Sequence, residues 1–141
     1  MVIRQGEVYW LDVKEPGAPG PALIHPHLVV QNDVFNRSRL RTTVVCALTS
    51  NLASARSPGN VRLDEGDAGL PKASVVNVTQ VFAVDKARLV EKIGNLSAER
   101  LRAVISGLEL LFEPRETISD RGHPPPASSR ARSASSRKSR R

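Results

Sequence analysis

The sequence predicts a mainly β domain, a small SH3-like, half-open antiparallel barrel closed by a C-terminal helix. Three observations carry this. Residues 6–94 contain several short runs of strand-forming residues, each bounded by Gly, Pro, Asn, Asp or Ser. The one clear helical periodicity falls late, over 97–113. A 141-residue chain with 40% hydrophobic residues and no fixed-period repeat has room for one core.

The first strand is read at Gly6–Val13, with Val8 and Trp10 on one face. Four prolines and two glycines between Pro16 and Pro26 then require a loop, long enough for a small domain to suggest that it covers a site. Leu28–Gln31 forms the second strand, ended by Asn32-Asp33, and Val34–Ser38 forms one helical turn. Thr42–Thr49 is a continuous apolar strand buried on both faces. Asn60–Leu63 is the fourth strand, and Asp64–Lys72 is a turn-rich connection. Ser74–Ala83 splits into two pieces, Val75–Val78 and Gln80–Phe82. A helical turn capped by Asp85 and a short strand at Val90–Gly94 follow. Ser97 caps the final helix, whose face is Leu101, Val104, Ile105, Leu108, Leu111 and Phe112.

The net charge of +7 is concentrated at one end. Residues 115–141 carry eight basic side chains against Glu116 and Asp120, leaving 13 basic and 12 acidic groups for residues 1–114. The division is therefore a folded domain over 1–114 and a basic, Ser/Arg-rich tail over 115–141, expected to be disordered because it cannot bury enough apolar surface. The basic balance belongs to the tail, so it does not argue that the folded part binds nucleic acid. A single cysteine, Cys46, rules out an intramolecular disulfide and any zinc site made of cysteine pairs. Within its apolar run it reads as a small buried hydrophobe. Arg4, Gln5 and Glu7 interrupt any signal peptide, and no run reaches the length of a membrane span, so the expected location is the cytoplasm.

Three polar groups stand on or beside apolar strands: His25 with His27, Thr49-Ser50-Asn51, and the cluster Arg37, Arg39, Arg41 with Arg56. Residues two apart in a strand share a side, so both histidines could face one site, stiffened by Pro26 between them. A metal on this pair would need a third ligand such as Asp33 or Asp12, and no metal is assigned. Imidazole, hydroxyl and guanidinium groups without a metal suit phosphodiester chemistry. RNA transesterification needs a base for the 2′-OH, donors for the charged phosphorane and an acid for the 5′-oxygen. Each residue also has a plain structural reading, as turn filler, strand end or solvated face.

Gly6–Asp12, Pro26–Asn36, Val44–Asn51, Gly69–Val76 and Val84–Leu89 together resemble, in order and spacing, the MazF/PemK-type toxins. The similarity spans about residues 4–112. The resemblance implies a half-open barrel of the MazF/CcdB type, and a ribosome-independent, metal-free and cofactor-free endoribonuclease acting as the toxin of a toxin–antitoxin pair. It implies a homodimer that binds single-stranded RNA along the dimer face, leaves 2′,3′-cyclic phosphate and 5′-hydroxyl ends, and is blocked by an antitoxin. The alternative is a non-catalytic member that binds an antitoxin or a protein target such as gyrase. The family's catalytic threonine matches Thr49, and its arginine falls on His25, a His-Pro-His variant in which His27 would share proton transfer. Gln31, Asn36, Arg37, Ser50, Asn51, Arg56 and Gln80 are the residues expected to contact RNA. The family's usual loop sequence before the second strand is replaced by Glu15–Ile24.

Overall fold

A computed structural model describes residues 2–115. One antiparallel sheet of six strands curls into a half-barrel in the order β4-β5-β3-β2-β1-β6. Its strands are β1 (Glu7–Asp12), β2 (Ile24–Val29), β3 (Thr42–Thr49), β4 (Val61–Leu63), β5 (Ser74–Asp85) and β6 (Leu89–Asn95). Helix α1 (Asp33–Asn36) links β2 to β3, and α2 (Ala98–Leu111) follows β6. Turns of 3-10 type lie at Leu52–Arg56, Asp67–Gly69 and Lys86–Arg88. The mainly β architecture with one terminal helix is as the sequence predicts. The expectation of a disordered tail over 115–141 lies outside the described residues, apart from Arg115.

Strand alternation divides the interior in two. Val8, Leu28, Cys46, Leu48 and Val76 point toward α2 and meet Val104 and Leu108. Tyr9, Leu11, Val29, Val45 and Leu89 form a second cluster on the opposite face. The two-sided burial expected of β3 is present at its centre, where Val45 and Cys46 are both fully buried. Burial pushes the Cys46 thiol up to about 12, so at neutral pH it is a protonated core residue. Glu7, also buried, is held below the usual carboxylate range although burial alone would raise it. The Lys92 ammonium at 2.9 Å, the Arg4 amide at 2.8 Å and the Tyr9 hydroxyl at 2.8 Å all donate to its carboxylate.

Three local expectations are corrected. The second strand begins at Ile24 rather than Leu28, because His25 and Pro26 pair with Leu11 and Trp10 of β1. Ser74–Ala83 is not two pieces but the first part of one 12-residue strand. Between Cys46 and Ala47 of β3 the paired residue on β5 jumps from Val81 to Asn77, leaving Val78, Thr79 and Gln80 bulged. Asn60 satisfies the bulge, accepting the Val78 N–H at 2.9 Å and donating to Asn77 Oδ1 at 2.8 Å. Finally, Leu111 and Phe112 are exposed, because the buried side of α2 is Val104, Gly107 and Leu108.

Gly107 is buried for a steric reason. A Cβ there would stand 2.2 Å from the Gly59 carbonyl oxygen, so α2 approaches the loop before β4 backbone to backbone. Gly107→Ala is expected to destabilise the fold by about 1–3 kcal/mol, despite the roughly 1 kcal/mol that alanine gains in helix propensity. Ser106→Ala on the exposed side of α2 should be neutral or stabilising. Urea unfolding of the two variants checks this.

Candidate active site

The site begins with a hydrogen bond that cannot form. The Val13 N–H donates to the Leu23 carbonyl at 2.8 Å, and the β1–β2 register runs on through Leu11↔His25 and Trp10↔Pro26. Alternation along an antiparallel pair makes Trp10↔Pro26 a non-hydrogen-bonded pair, so the Pro26 nitrogen points away from β1, toward β3. On that side β2 pairs with β3 at Val29↔Val45, Leu28↔Cys46 and His27↔Ala47, and no further. The next pair would need an N–H that proline lacks. The start of β2 and the end of β3 therefore part.

A cavity of about 470 Å³ fills the gap. Trp10, Ile24, Pro26, Leu48 and Leu70 supply its apolar lining, and His25, Thr49, Ser50, Lys72 and Ser74 its polar one. No carboxylate lines it among the described residues. Thr49 Oγ1 accepts the Asn51 N–H at 3.1 Å, which leaves the hydroxyl proton free to donate outward. Across the cavity, the segment carrying Leu70 to Lys72 is fixed from behind. Arg100 on α2 reaches the carboxylates of Asp64 at 3.4 Å and Asp67 at 3.6 Å and donates to the Arg62 carbonyl at 3.0 Å. Gly94 of β6 lies so close that a Cβ there would meet the Ala68 carbonyl oxygen at 2.2 Å. Ala68 itself holds a left-handed conformation at φ +54°.

The family described as PemK-like, MazF-like toxin of type II toxin-antitoxin systems matches residues 4–112. The chain belongs to that family. It is 40% identical over 113 residues to Endoribonuclease MazF6 of Mycobacterium tuberculosis, covering 80% of this chain and 99% of that one. Endoribonuclease EndoA of Bacillus subtilis is 32% identical over 110 residues, 78% of this chain and 94% of that protein. A mycobacterial endoribonuclease solved in complex with its cognate antitoxin shares the fold, with TM-score 0.62 at 23% identity, over 81% of this chain and 99% of that one. MazF in a MazE–MazF complex from Deinococcus radiodurans does likewise, with TM-score 0.62 at 22% identity, over 82% of this chain and 99% of that one.

In this PemK/MazF-family chain the residues singled out from the sequence fall into separate places. His25, Thr49 and Ser50 line the cavity. Asn51 stands at its edge, its side chain accepting the Ala53 N–H at 3.2 Å to cap the turn that ends in exposed Arg56. His27 does not join them. It is buried, meets Phe82 edge-on with ring centroids 5.5 Å apart, and its Nδ1–H donates to the His25 carbonyl at 3.1 Å. Alternation puts both histidines on one side of β2, as expected, but only at His27 is that side covered. The expectation that both imidazoles face one site is thereby corrected. Asp33 and Asp12 are engaged elsewhere, by the Gln5 amide at 2.7 Å and the Lys14 amide at 3.0 Å. Among the described residues no three His, Cys, Asp or Glu come together to hold a metal ion.

Gln31, Asn36 and Arg37 lie at the opposite end of β3. Asn36 is buried, donates to the Gln31 carbonyl at 2.8 Å and accepts from Thr43 at 2.8 Å and Gln31 Nε2 at 2.9 Å. Six strand steps separate Thr43 from Thr49, about 20 Å. The structure thus gives Gln31 and Asn36 a structural role away from the cavity. Arg37 ends α1, and Gln80 sits in the β5 bulge, accepting from Asn77 at 3.3 Å. Trp10 and Lys72 were not singled out for the site. Trp10 reads as one more core residue of the first strand, and Lys72 as part of a turn-rich connection.

Burial holds His27 below the ordinary histidine value of 6.5, favouring its neutral form in the folded protein. The unfolded chain binds that proton more readily, so this contribution to stability is complete above pH 6.5 and is lost as the pH falls below it. Thermal melts should show that loss in the wild type and a flatter profile in His27→Gln over the same range. Pro26→Val should let β2–β3 pairing continue toward Leu48. Its expected signature is greater hydrogen-exchange protection at the start of β2, with a narrower cavity and lower activity.

Proposed function

We propose that the chain is the toxin of a type II toxin–antitoxin pair and a cytoplasmic endoribonuclease that cleaves single-stranded RNA without a metal. The reading is carried by one observation: a histidine and a threonine at adjacent strand ends share a cavity that contains a lysine and hydroxyls but, among the described residues, no carboxylate. Such a cavity is suited to a phosphodiester. The names of the relatives support it, since proteins 40% and 32% identical over most of this chain are endoribonucleases. A cognate antitoxin and a second copy of the chain complete the proposed assembly.

In the proposed reaction His25 takes the proton of the ribose 2′-OH. The 2′-oxygen forms a bond to phosphorus, and charge accumulates on the non-bridging oxygens. Thr49 donates its free hydroxyl proton toward one of them, its oxygen already held by the Asn51 N–H. The bond to the 5′-oxygen then breaks and that oxygen takes a proton from water, leaving a 2′,3′-cyclic phosphate and a 5′-hydroxyl. His27 acts as a positioning residue through its bond to the His25 carbonyl. Ser50 and Asn51 follow Thr49 directly and Arg56 ends the turn that Asn51 caps; they extend the site along the backbone of the RNA, while Arg37 and Gln80 offer more distant contacts.

Incubation with a long single-stranded RNA in excess chelator should give discrete fragments ending in cyclic phosphate. His25→Ala and Thr49→Ala should each lower the rate by about 100-fold or more. His25→Arg separates two roles, because arginine supplies a fixed positive charge but cannot take a proton. It should be as inactive as His25→Ala. Toxicity in cells without RNA fragments would instead support a non-catalytic protein-binding member of the fold.

A further inference from the structure

The cavity contains more than proton transfer requires. Its floor is apolar and includes the half-buried Trp10, paired directly with Pro26 at a non-hydrogen-bonded position where side chains lie closest. Its far wall carries Lys72, which is exposed and forms no ion pair among the described residues. A volume of about 470 Å³ is in the range of small-ligand pockets. An aromatic floor beneath a cationic, carboxylate-free rim matches a nucleotide, which has an apolar π-face at one end and an anion at the other.

We infer that this cavity is a nucleotide subsite, in which one base of the RNA stacks on Trp10 and the adjoining phosphate is held between Lys72 and Thr49. The inference rests on the proposed RNA substrate and deepens it. It assigns the permanent positive charge to Lys72, the only lysine or arginine in the cavity lining among the described residues. Lys72 is well placed for a fixed role, because the segment before it is anchored by Arg100 through Asp64 and Asp67 and by the close approach of Gly94 to Ala68. Trp10 is the natural determinant of which base is accepted: it forms the wall against which a base of given size must fit.

Trp10 is the only tryptophan in the chain, so its fluorescence reports on the subsite directly. The probes are short 2′-O-methyl oligoribonucleotides of A, C, G or U, which have no 2′-OH and cannot be cut, and an abasic oligomer with the same backbone. At least one base type should quench Trp10, and the abasic oligomer should bind without quenching. Lys72→Met should weaken binding of the quenching oligomer about tenfold, with Lys72→Arg restoring it. In cleavage of a long RNA, Trp10→Phe and Trp10→Leu should change the bases found beside the cut ends, which a loss of fold would not do. If the wild type cuts RNA while the oligomers bind without quenching, or the abasic oligomer quenches equally, the subsite is overturned and the ribonuclease reading stands. Failure of the wild type either to cut RNA or to bind any oligomer overturns both.

Discussion

Everything at the site follows from one amide proton that Pro26 does not have. Between β1 and β2 the proline costs nothing, because its nitrogen faces away from β1 at a non-hydrogen-bonded pair. Toward β3 it ends the ladder at His27↔Ala47. Had the ladder continued, Leu48 and Thr49 would lie against β2, and the cavity would be filled by backbone. The same residue that stiffens the strand thus opens the space next to it. This is why a proline inside a central strand, normally evidence against a strand, is compatible with one here.

The rest of the fold holds that gap at a fixed width. Arg100 ties the Asp64–Lys72 segment to α2, and α2 in turn is seated on the Gly59 loop through Gly107. Asn60 fastens the same loop to the β5 bulge, so the strand that lies beside Thr49 is bent at a defined point. At the far end of β3, Asn36 uses its side-chain amide to join α1, Gln31 and Thr43 into one network. A buried amide with these partners is a satisfied structural group, and its engagement explains why polar residues near strand ends are poor guides to a binding surface.

The two histidines show where reading a sequence by period succeeds and where it stops. Alternation correctly puts His25 and His27 on one side of β2, but it carries no information about what covers that side. Phe82, 55 residues further along the chain, covers His27 and leaves His25 open. The division of β5 failed for a related reason. Val78-Thr79-Gln80 interrupts the local pattern, yet a bulge closed by Asn60 keeps both halves in one strand. Leu111 and Phe112 continue the helical spacing at the end of α2 but are exposed.

By itself the sequence determined the mainly β architecture, the single terminal helix and the burial of Cys46, and it pointed to His25 and Thr49 as candidates. These follow from local propensity, from the period of apolar residues and from a family resemblance carried by consecutive motifs. The tertiary structure decided which histidine meets the cavity, that Asn36 and Gln31 are hydrogen-bonded to each other at the far end of β3, and that Trp10 and Lys72 stand with Thr49. Each of these depends on a neighbour distant in the chain: β3 beside Pro26, Phe82 over His27, and the Leu70–Lys72 segment across from the end of β3. Periodicity assigns a residue to a face, and only packing says whether that face is core, surface or site.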